Sequence, residues 1–255
     1  MRSVSFIDDR FPVTTVYTDN TDCKDYDDSE PITARSDSLI RFAGIPVKRV
    51  VYAREIHSGS VMFAGESEND DRFLRTNEPL ITKPSGGYDS LITNVPGVMM
   101  CITTADCLPL FLYDPVAKAA AITHCGWRGI CSGIASSTVG LMKDGFGGDP
   151  SATVAAFGPC ICGSCYEVGG ELKSDFARLF PADEIDRFFT PRDNGKYLLD
   201  IRSAVIADLL SAGLMTKNIY DTGICSYESP VFASYRRSGR VIPAKQTISG
   251  IVMHQ

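Results

Sequence analysis

With 255 residues, 44% of them hydrophobic, the chain is long enough to bury a full core, and a single domain over 1–255 is expected. Its formal net charge of −6 argues against a nucleic-acid or anionic-membrane surface. No apolar run reaches the roughly eighteen residues of a membrane span, and Met1–Phe11 lacks a signal-peptide core, so a soluble cytoplasmic protein is expected.

Ser3–Tyr17 reads as one or two strands, with alternation around Val13–Val16. Asp19–Glu30 is acidic and poor in apolar residues, as in a solvated surface loop. Leu39, Ile40 and Phe42 predict a helix over Thr33–Ala43, stopped by Gly44-Ile45-Pro46. The strand Arg49–Ala53 then runs into Arg54-Glu55-Ile56-His57-Ser58-Gly59, which places His57 at a strand end. Glu66–Pro79 is polar and loop-like. Asp89–Thr93 and Val98–Thr103 are expected strands around the turn Pro96-Gly97.

The stretch Cys101–Gly129 carries the densest chemistry. Two continuous apolar runs, Leu108–Tyr113 and Ala119–Thr123, flank Asp114-Pro115 and fit strands buried on both faces. Paired as an antiparallel hairpin, they bring Cys107 and His124 to one end of a sheet. A thiol and an imidazole meeting there make either part of a zinc site or a nucleophile–base pair. The alternative is a buried cysteine beside a core histidine, against which stands the polar cluster Thr103, Thr104 and Asp106. Gly126-Trp127-Arg128-Gly129 breaks the strand and opens a helix with Ile130, Ile134 and Met142 on one face, continuing through Ser132–Lys143. Arg128 at that helix start is a candidate anion ligand.

After a turn at Gly145–Pro150, Thr153–Phe157 is an expected strand. The segment Gly158–Glu167 holds Cys160, Cys162 and Cys165 at CxCxxC spacing. A structural zinc needs a fourth ligand and usually a second knuckle, so a tight loop of small residues is expected there instead. Val168, Leu172, Phe176 and Leu179 mark one helix; Asp200–Ala212 marks another, with Asp200 as N-cap and Gly213 as stop. Asn218–Cys225 reads as a strand. Arg236 and Arg237, beside Ser234 and Tyr235, are candidate ligands for phosphate or carboxylate, or else a solvated basic turn. His254 falls in an expected mobile tail. His57, His124 and His254 are the only histidines, and the nine cysteines form an odd count. Reduced, buried or metal-bound thiols are therefore expected in place of a disulfide framework. Phosphate-loop, dinucleotide-binding, HExxH and GxSxG motifs are absent from the sequence.

Asp89-Ser90-Leu91-Ile92-Thr93, Thr104-Ala105-Asp106-Cys107-Leu108-Pro109, His124-Cys125-Gly126-Trp127-Arg128-Gly129, Gly158-Pro159-Cys160-Ile161 with Cys165-Tyr166-Glu167-Val168, and Ser234-Tyr235-Arg236-Arg237 follow one another in order. Together they resemble the YfiH/YlmD laccase-domain family of purine nucleoside phosphorylases, once called polyphenol oxidases. The resemblance implies an α+β fold of packed mixed β-sheets flanked by helices. It also implies a zinc, or alternatively a copper, held by His57, Cys107 and His124. The implied activities are phosphorolysis of adenosine, inosine, guanosine and S-methyl-5'-thioadenosine, together with adenosine deamination. The implied ligands are a nucleoside and phosphate; from charge and hydropathy no nucleic acid or membrane partner is expected, and a monomer is expected. Within that scheme Asp106, Cys107 and His124 are the expected catalytic residues, with Asp106 shuttling protons. Arg128, Arg236 and Arg237 are the expected substrate ligands. Glu55 stands where relatives carry glutamine, and strand alternation predicts that it shares the face of His57. Two alternatives stay open: a cysteine hydrolase with Cys107 as nucleophile, His124 as base and His57 as helper, and a non-catalytic metal-binding protein of the same fold.

Overall fold

The computed structural model describes residues 2, 7, 9–19, 39–65, 80–82, 87–242 and 246–255. Apart from Asp19, the expected loops Asp19–Glu30 and Glu66–Pro79 lie outside the described residues, as does the first half of the Thr33–Ala43 helix; residues 39–43 are helical.

The strands in chain order are β1 (Val13–Tyr17), β2 (Arg49–Tyr52), β3 (Val61–Phe63), β4 (Leu80–Thr82), β5 (Ser90–Thr93), β6 (Val98–Thr104), β7 (Leu108–Asp114), β8 (Ala119–Cys125) and β9 (Val154–Phe157). After these come β10 (Glu167–Val168), β11 (Phe189–Pro191), β12 (Tyr197–Leu199), β13 (Ile219–Asp221) and β14 (Thr247–Met253). The helices that follow β8 are α1 (Trp127–Cys131), α2 (Ile134–Phe146), α3 (Glu171–Phe176), α4 (Ala182–Phe188) and α5 (Ile201–Ser211). One mixed sheet runs β1-β14-β6-β2-β4 and a second runs β13-β9-β7-β8-β5-β3; β10, β12 and β11 form a small third sheet.

The continuous apolar runs of β7 and β8 have a direct cause: both faces of their sheet are covered. Leu108, Leu110 and Leu112 pack with Ala119 and Ala121 against Ile134, Val139 and Met142 of α2 and Val205 and Leu209 of α5. Their alternates Phe111, Tyr113, Ala120 and Ile122 meet Met100, Ile102 and Ile251 of the other sheet. That sheet's outer face, with Val50, Tyr52, Met99, Cys101 and Val252, packs on Leu39 and Ala43. The period of two along each strand thus sorts side chains between adjacent layers, helix–sheet–sheet–helix.

Several expectations are corrected. The single helix from Trp127 onward is two, because Gly133 takes a left-handed backbone (φ 66°) between α1 and α2. Val168 belongs to β10, so the following helix begins only at Glu171. The strand expected over Asn218–Cys225 is confined to β13, and Cys225 instead forms an isolated parallel bridge with Cys160. His254 is no mobile tail. Its backbone N–H donates to the Pro12 carbonyl (2.8 Å), and its Nε2 lies 2.9 Å from Thr14 Oγ1. The reason is β14, which pairs antiparallel with both β1 and β6 and carries the chain end into the sheet. Asp200 caps α5 as expected, accepting from the N–H groups of Arg202 (3.0 Å) and Ser203 (3.3 Å).

Candidate metal centre

The β7–β8 hairpin pairs Leu108 with Cys125 and Pro109 with His124, so Cys107 and His124 emerge at the same sheet end. The loop between β2 and β3 brings His57 to them. The potential ligand atoms of His57, Cys107 and His124 all lie within 4.8 Å of one another. The two imidazole rings sit edge to face, with centroids 4.9 Å apart and planes at 90°. A Cβ added at Gly126 would lie 3.2 Å from Cys107 Sγ, 3.2 Å from His57 Cδ2 and 3.5 Å from His124 Cε1. The missing side chain keeps the point between the three ligands open. One thiol and two imidazoles form a donor set that suits zinc, and three protein ligands leave one position for another group. The residues present therefore fit the metal that the sequence motifs imply.

Asp89 makes this arrangement, and sequence reasoning noted it only as the start of a strand. Its buried carboxylate sits 2.9 Å from His124 Nδ1 through Oδ1, which also accepts from the His57 N–H at 3.0 Å. Oδ2 accepts from the N–H groups of Ile56 (3.3 Å) and Ser58 (2.7 Å) and from Ser58 Oγ (2.9 Å). One side chain thereby fixes the loop that carries His57 and the ring of His124. A proton on Nδ1 directed at Asp89 leaves Nε2 for the metal. His57 itself has a left-handed backbone (φ 58°), a conformation that costs roughly 1–3 kcal/mol and persists because the Asp89 hydrogen bonds enforce it. Burial acts to raise the Asp89 pKa, but the His124 and Ser58 hydrogen bonds prevail and lower it to about 2.

Charge around Cys107 is arranged to favour a thiolate. Burial works against ionising Cys107, yet the charge and hydrogen bond of His124, with those of His57, pull its pKa below the ordinary thiol value. For His124 burial disfavours the imidazolium, while the Cys107 thiolate, Asp89 and Glu55 outweigh it and raise its proton affinity.

The other expected residues divide. Asp106 is buried with a left-handed backbone (φ 92°). Its carboxylate accepts from Ser226 Oγ (2.6 Å), Ser234 Oγ (3.0 Å) and the Arg236 N–H (2.7 Å). Arg237 directs its guanidinium to the carbonyls of Ser226, Tyr227, Ser229 and Phe232. Arg236 lies over the Tyr166 ring at 5.2 Å and donates to the Glu167 carbonyl at 2.7 Å. Arg128 is exposed and stacks on Trp127 at 4.3 Å. Glu55 is not on a strand, so alternation does not place it. Instead Oε1 accepts from the N–H (2.6 Å) and hydroxyl (3.3 Å) of Thr103. Tyr166, unassigned from sequence, has its pKa raised to about 12, first by burial and then by the nearby Cys107 charge. It remains a neutral hydroxyl at working pH.

Residues 14–248 match the family described as multi-copper polyphenol oxidoreductase laccase. A Streptomyces coelicolor protein named purine nucleoside phosphorylase is 30% identical over 211 residues, spanning 83% of this chain and 79% of that one. A protein of an unknown prokaryotic organism, named adenosine deaminase, is 33% identical over 210 residues, spanning 82% and 76% respectively. The crystal structure of YlmD from Geobacillus stearothermophilus has the same fold, with a TM-score of 0.81 over 96% of this chain and 93% of that one at 23% identity. By its motifs, its fold and the extent of these matches, the chain belongs to the YfiH/YlmD family of laccase-domain proteins.

Proposed function

We propose that the chain is a zinc-dependent purine nucleoside phosphorylase that also deaminates adenosine. The observation that carries this assignment is the open convergence of His57, Cys107 and His124 around the Gly126 hollow. Relatives named purine nucleoside phosphorylase and adenosine deaminase support it. The substrates we assign are adenosine, inosine, guanosine and S-methyl-5'-thioadenosine, with phosphate as co-substrate.

When bound, zinc would supply Lewis acidity and lower the pKa of water towards neutrality. The remaining work falls to the chain. Asp89 holds the His124 ring in one orientation and one tautomer. Arg128 and Arg236 supply positive charge for phosphate, each kept in place by an aromatic ring. Tyr166, protonated beneath Arg236, is a hydroxyl donor to phosphate or ribose. Asp106 and Arg237 are positioning residues: their polar atoms are occupied by the 226–237 segment, and together they shape it. Glu55, tied to Thr103 through one oxygen, is a half-buried carboxylate whose negative charge tunes His124 from outside the ligand set.

Incubating the purified protein with adenosine, with and without phosphate, tests the assignment. Adenine and ribose 1-phosphate should appear only with phosphate, and inosine in both reactions; neither product from metal-replete protein would refute it. The thiolate-favouring Cys107–His124 pair supports a second assignment, a cysteine hydrolase. Stoichiometric zinc that shields Cys107 from iodoacetamide rules out that alternative.

A further inference from the structure

A second group of potential metal-ligating side chains is distinct from the first centre. Cys162, Cys165, Cys225 and Glu228 present three sulfurs and a carboxylate oxygen, all within 4.8 Å of one another. The CxCxxC stretch by itself lacked a fourth ligand; the fold supplies two ligands from a segment some sixty residues later and leaves Cys160 out.

Local structure builds the cluster. Cys160 and Cys225 form a parallel bridge, in which the Cys160 N–H donates to the Ile224 carbonyl (3.3 Å) and the Ser226 N–H to the Cys160 carbonyl (3.0 Å). Arg202 holds the same Ile224 carbonyl at 2.6 Å. Cys162 and Cys165 are the ends of a tight turn closed by the Cys165 N–H on the Cys162 carbonyl at 3.0 Å. Such a turn places both sulfurs on one side, as in the knuckle of a zinc site. Across the two segments the Cys162 N–H donates to Cys225 Sγ at 3.4 Å, which ties the turn to the later strand bridge. Cys165 Sγ donates to Glu228 Oε1 at 3.5 Å, which sets these two potential ligand atoms side by side. Ser164 Oγ lies 3.0 Å from Cys162 Sγ.

We propose that Cys162, Cys165, Cys225 and Glu228 form a second zinc site, structural in kind. Three thiolates and a carboxylate make a soft, fully anionic set, and four protein ligands leave no position for a substrate. Zinc–sulfur bonds of about 2.3 Å put tetrahedral neighbours roughly 3.8 Å apart, so a spread of up to 4.8 Å closes with side-chain rotation alone. Cys101, Cys125 and Cys160 are core thiols fully shut off from solvent and do not compete for this role. The ion would clamp the 224–229 segment, whose Ser226 donates to Asp106 immediately before Cys107. It would therefore brace the wall of the first centre without entering it.

The test uses full-length protein purified in reductant without chelator, with metal counted by elemental analysis and native mass spectrometry. Wild type should carry two zinc ions per chain, Cys107→Ser one, Cys162→Ser one, and the double variant none. Counting on the Cys107→Ser background makes the result independent of whether the first centre is catalytic. Cobalt loaded into that variant should give the strong near-ultraviolet sulfur-to-metal absorption of a multi-thiolate tetrahedral site. Glu228→Ala, at an exposed position, provides a variant that does not burden the fold; its remaining site should release zinc to a competing chelator at least about tenfold more readily. Metal-free Cys107→Ser, unchanged stoichiometry in Cys162→Ser, or a Cys162–Cys165 disulfide in protein prepared without air would each overturn the proposal.

Discussion

Replacing Asp89 by asparagine separates the architecture of the first centre from its ligands, because no ligand atom changes. The carboxylate serves donors on both oxygens: the His57 N–H and His124 Nδ1 on one, the Ile56 and Ser58 N–H groups and Ser58 Oγ on the other. An amide must turn its NH2 towards one of these sets. Facing the first, it opposes the His57 N–H and drives the His124 proton to Nε2, the nitrogen zinc requires. Facing the second, it opposes two backbone N–H groups that have no other acceptor in the arrangement described. A buried donor left opposed costs about 1–3 kcal/mol, and losing the charge weakens the bonds that survive, so roughly 3 kcal/mol of destabilisation is expected. Linkage gives a figure of the same size. Asp89 has its pKa lowered from 3.8 to about 2, which corresponds to about 2 kcal/mol. Since the folded value is the depressed one, that contribution is fully present above about pH 4 and disappears as pH falls through about 2. Urea unfolding of metal-free wild type and Asp89→Asn from pH 7 downward should therefore show a gap that narrows in acid. Zinc affinity, from competition with a chromogenic chelator, should fall about 10–100-fold. Equal midpoints with equal zinc affinity would refute the role given to Asp89, and so would a stability gap indifferent to pH.

Gly126→Ala, whose φ of −77° accepts alanine, should lower zinc affinity by about tenfold or more while leaving the urea midpoint nearly unchanged, because the added Cβ lies 3.2 Å from Cys107 Sγ; chelator competition decides it. Arg128→Lys should reduce inosine phosphorolysis by about 10–100-fold and adenosine deamination much less, since an ammonium cannot reproduce a two-pronged phosphate contact. Equal losses in side-by-side assays would move Arg128 out of the phosphate site. Glu55→Gln should shift the rising limb of the deamination pH profile to lower pH, because Glu55 adds negative charge that raises the proton affinity of His124; superimposable profiles would exclude that coupling. His254→Ala should cost about 1 kcal/mol in urea unfolding through loss of the Thr14 contact.

The hairpin at the centre was legible because burial on both faces writes itself into sequence as unbroken apolar runs, and the run ends located Cys107 and His124. Strand β14 was not. Its polar residues Thr247 and Ser249 are buried, and Gly250 interrupts the pattern where its backbone approaches Cys101, so neither alternation nor a continuous run marks it. Gly133 looked like a tolerable residue inside one long helix, and only its left-handed backbone splits that helix. For the site, ligand types were visible but their supports were not. Nothing near Asp89 in sequence announces that its carboxylate reaches back to residues 56–58 and forward to 124. Asp106 had the right position for a proton carrier, and only tertiary structure shows Ser226, Ser234 and Arg236 occupying its oxygens. The cysteine cluster escaped for the same reason. Its missing ligands arrive through a bridge between segments that share no local pattern.

These gaps have a common physical origin, and it bears on how the centre keeps its shape. Among the described residues, His57 and Asp106 are two of the four non-glycine positions with left-handed backbone; one is a proposed ligand and the other adjoins one. Left to themselves, these residues would relax to ordinary conformations and draw His57 and Cys107 apart. Each is held by a carboxylate gathering donors from distant chain segments: Asp89 over the His57 loop, and Asp106 through its own side chain into the 226–236 segment. A metal bound between His57 and Cys107 would lock both strained loops at once. Zinc binding is therefore expected to stabilise the loops carrying the ligands more than the hairpin beneath them, and hydrogen exchange should slow at Ile56–Ser58 and Ala105–Cys107 while β7 and β8 stay unchanged. Uniform slowing over the whole sheet would show that the ion supports the core and that the two carboxylates alone suffice to hold the site.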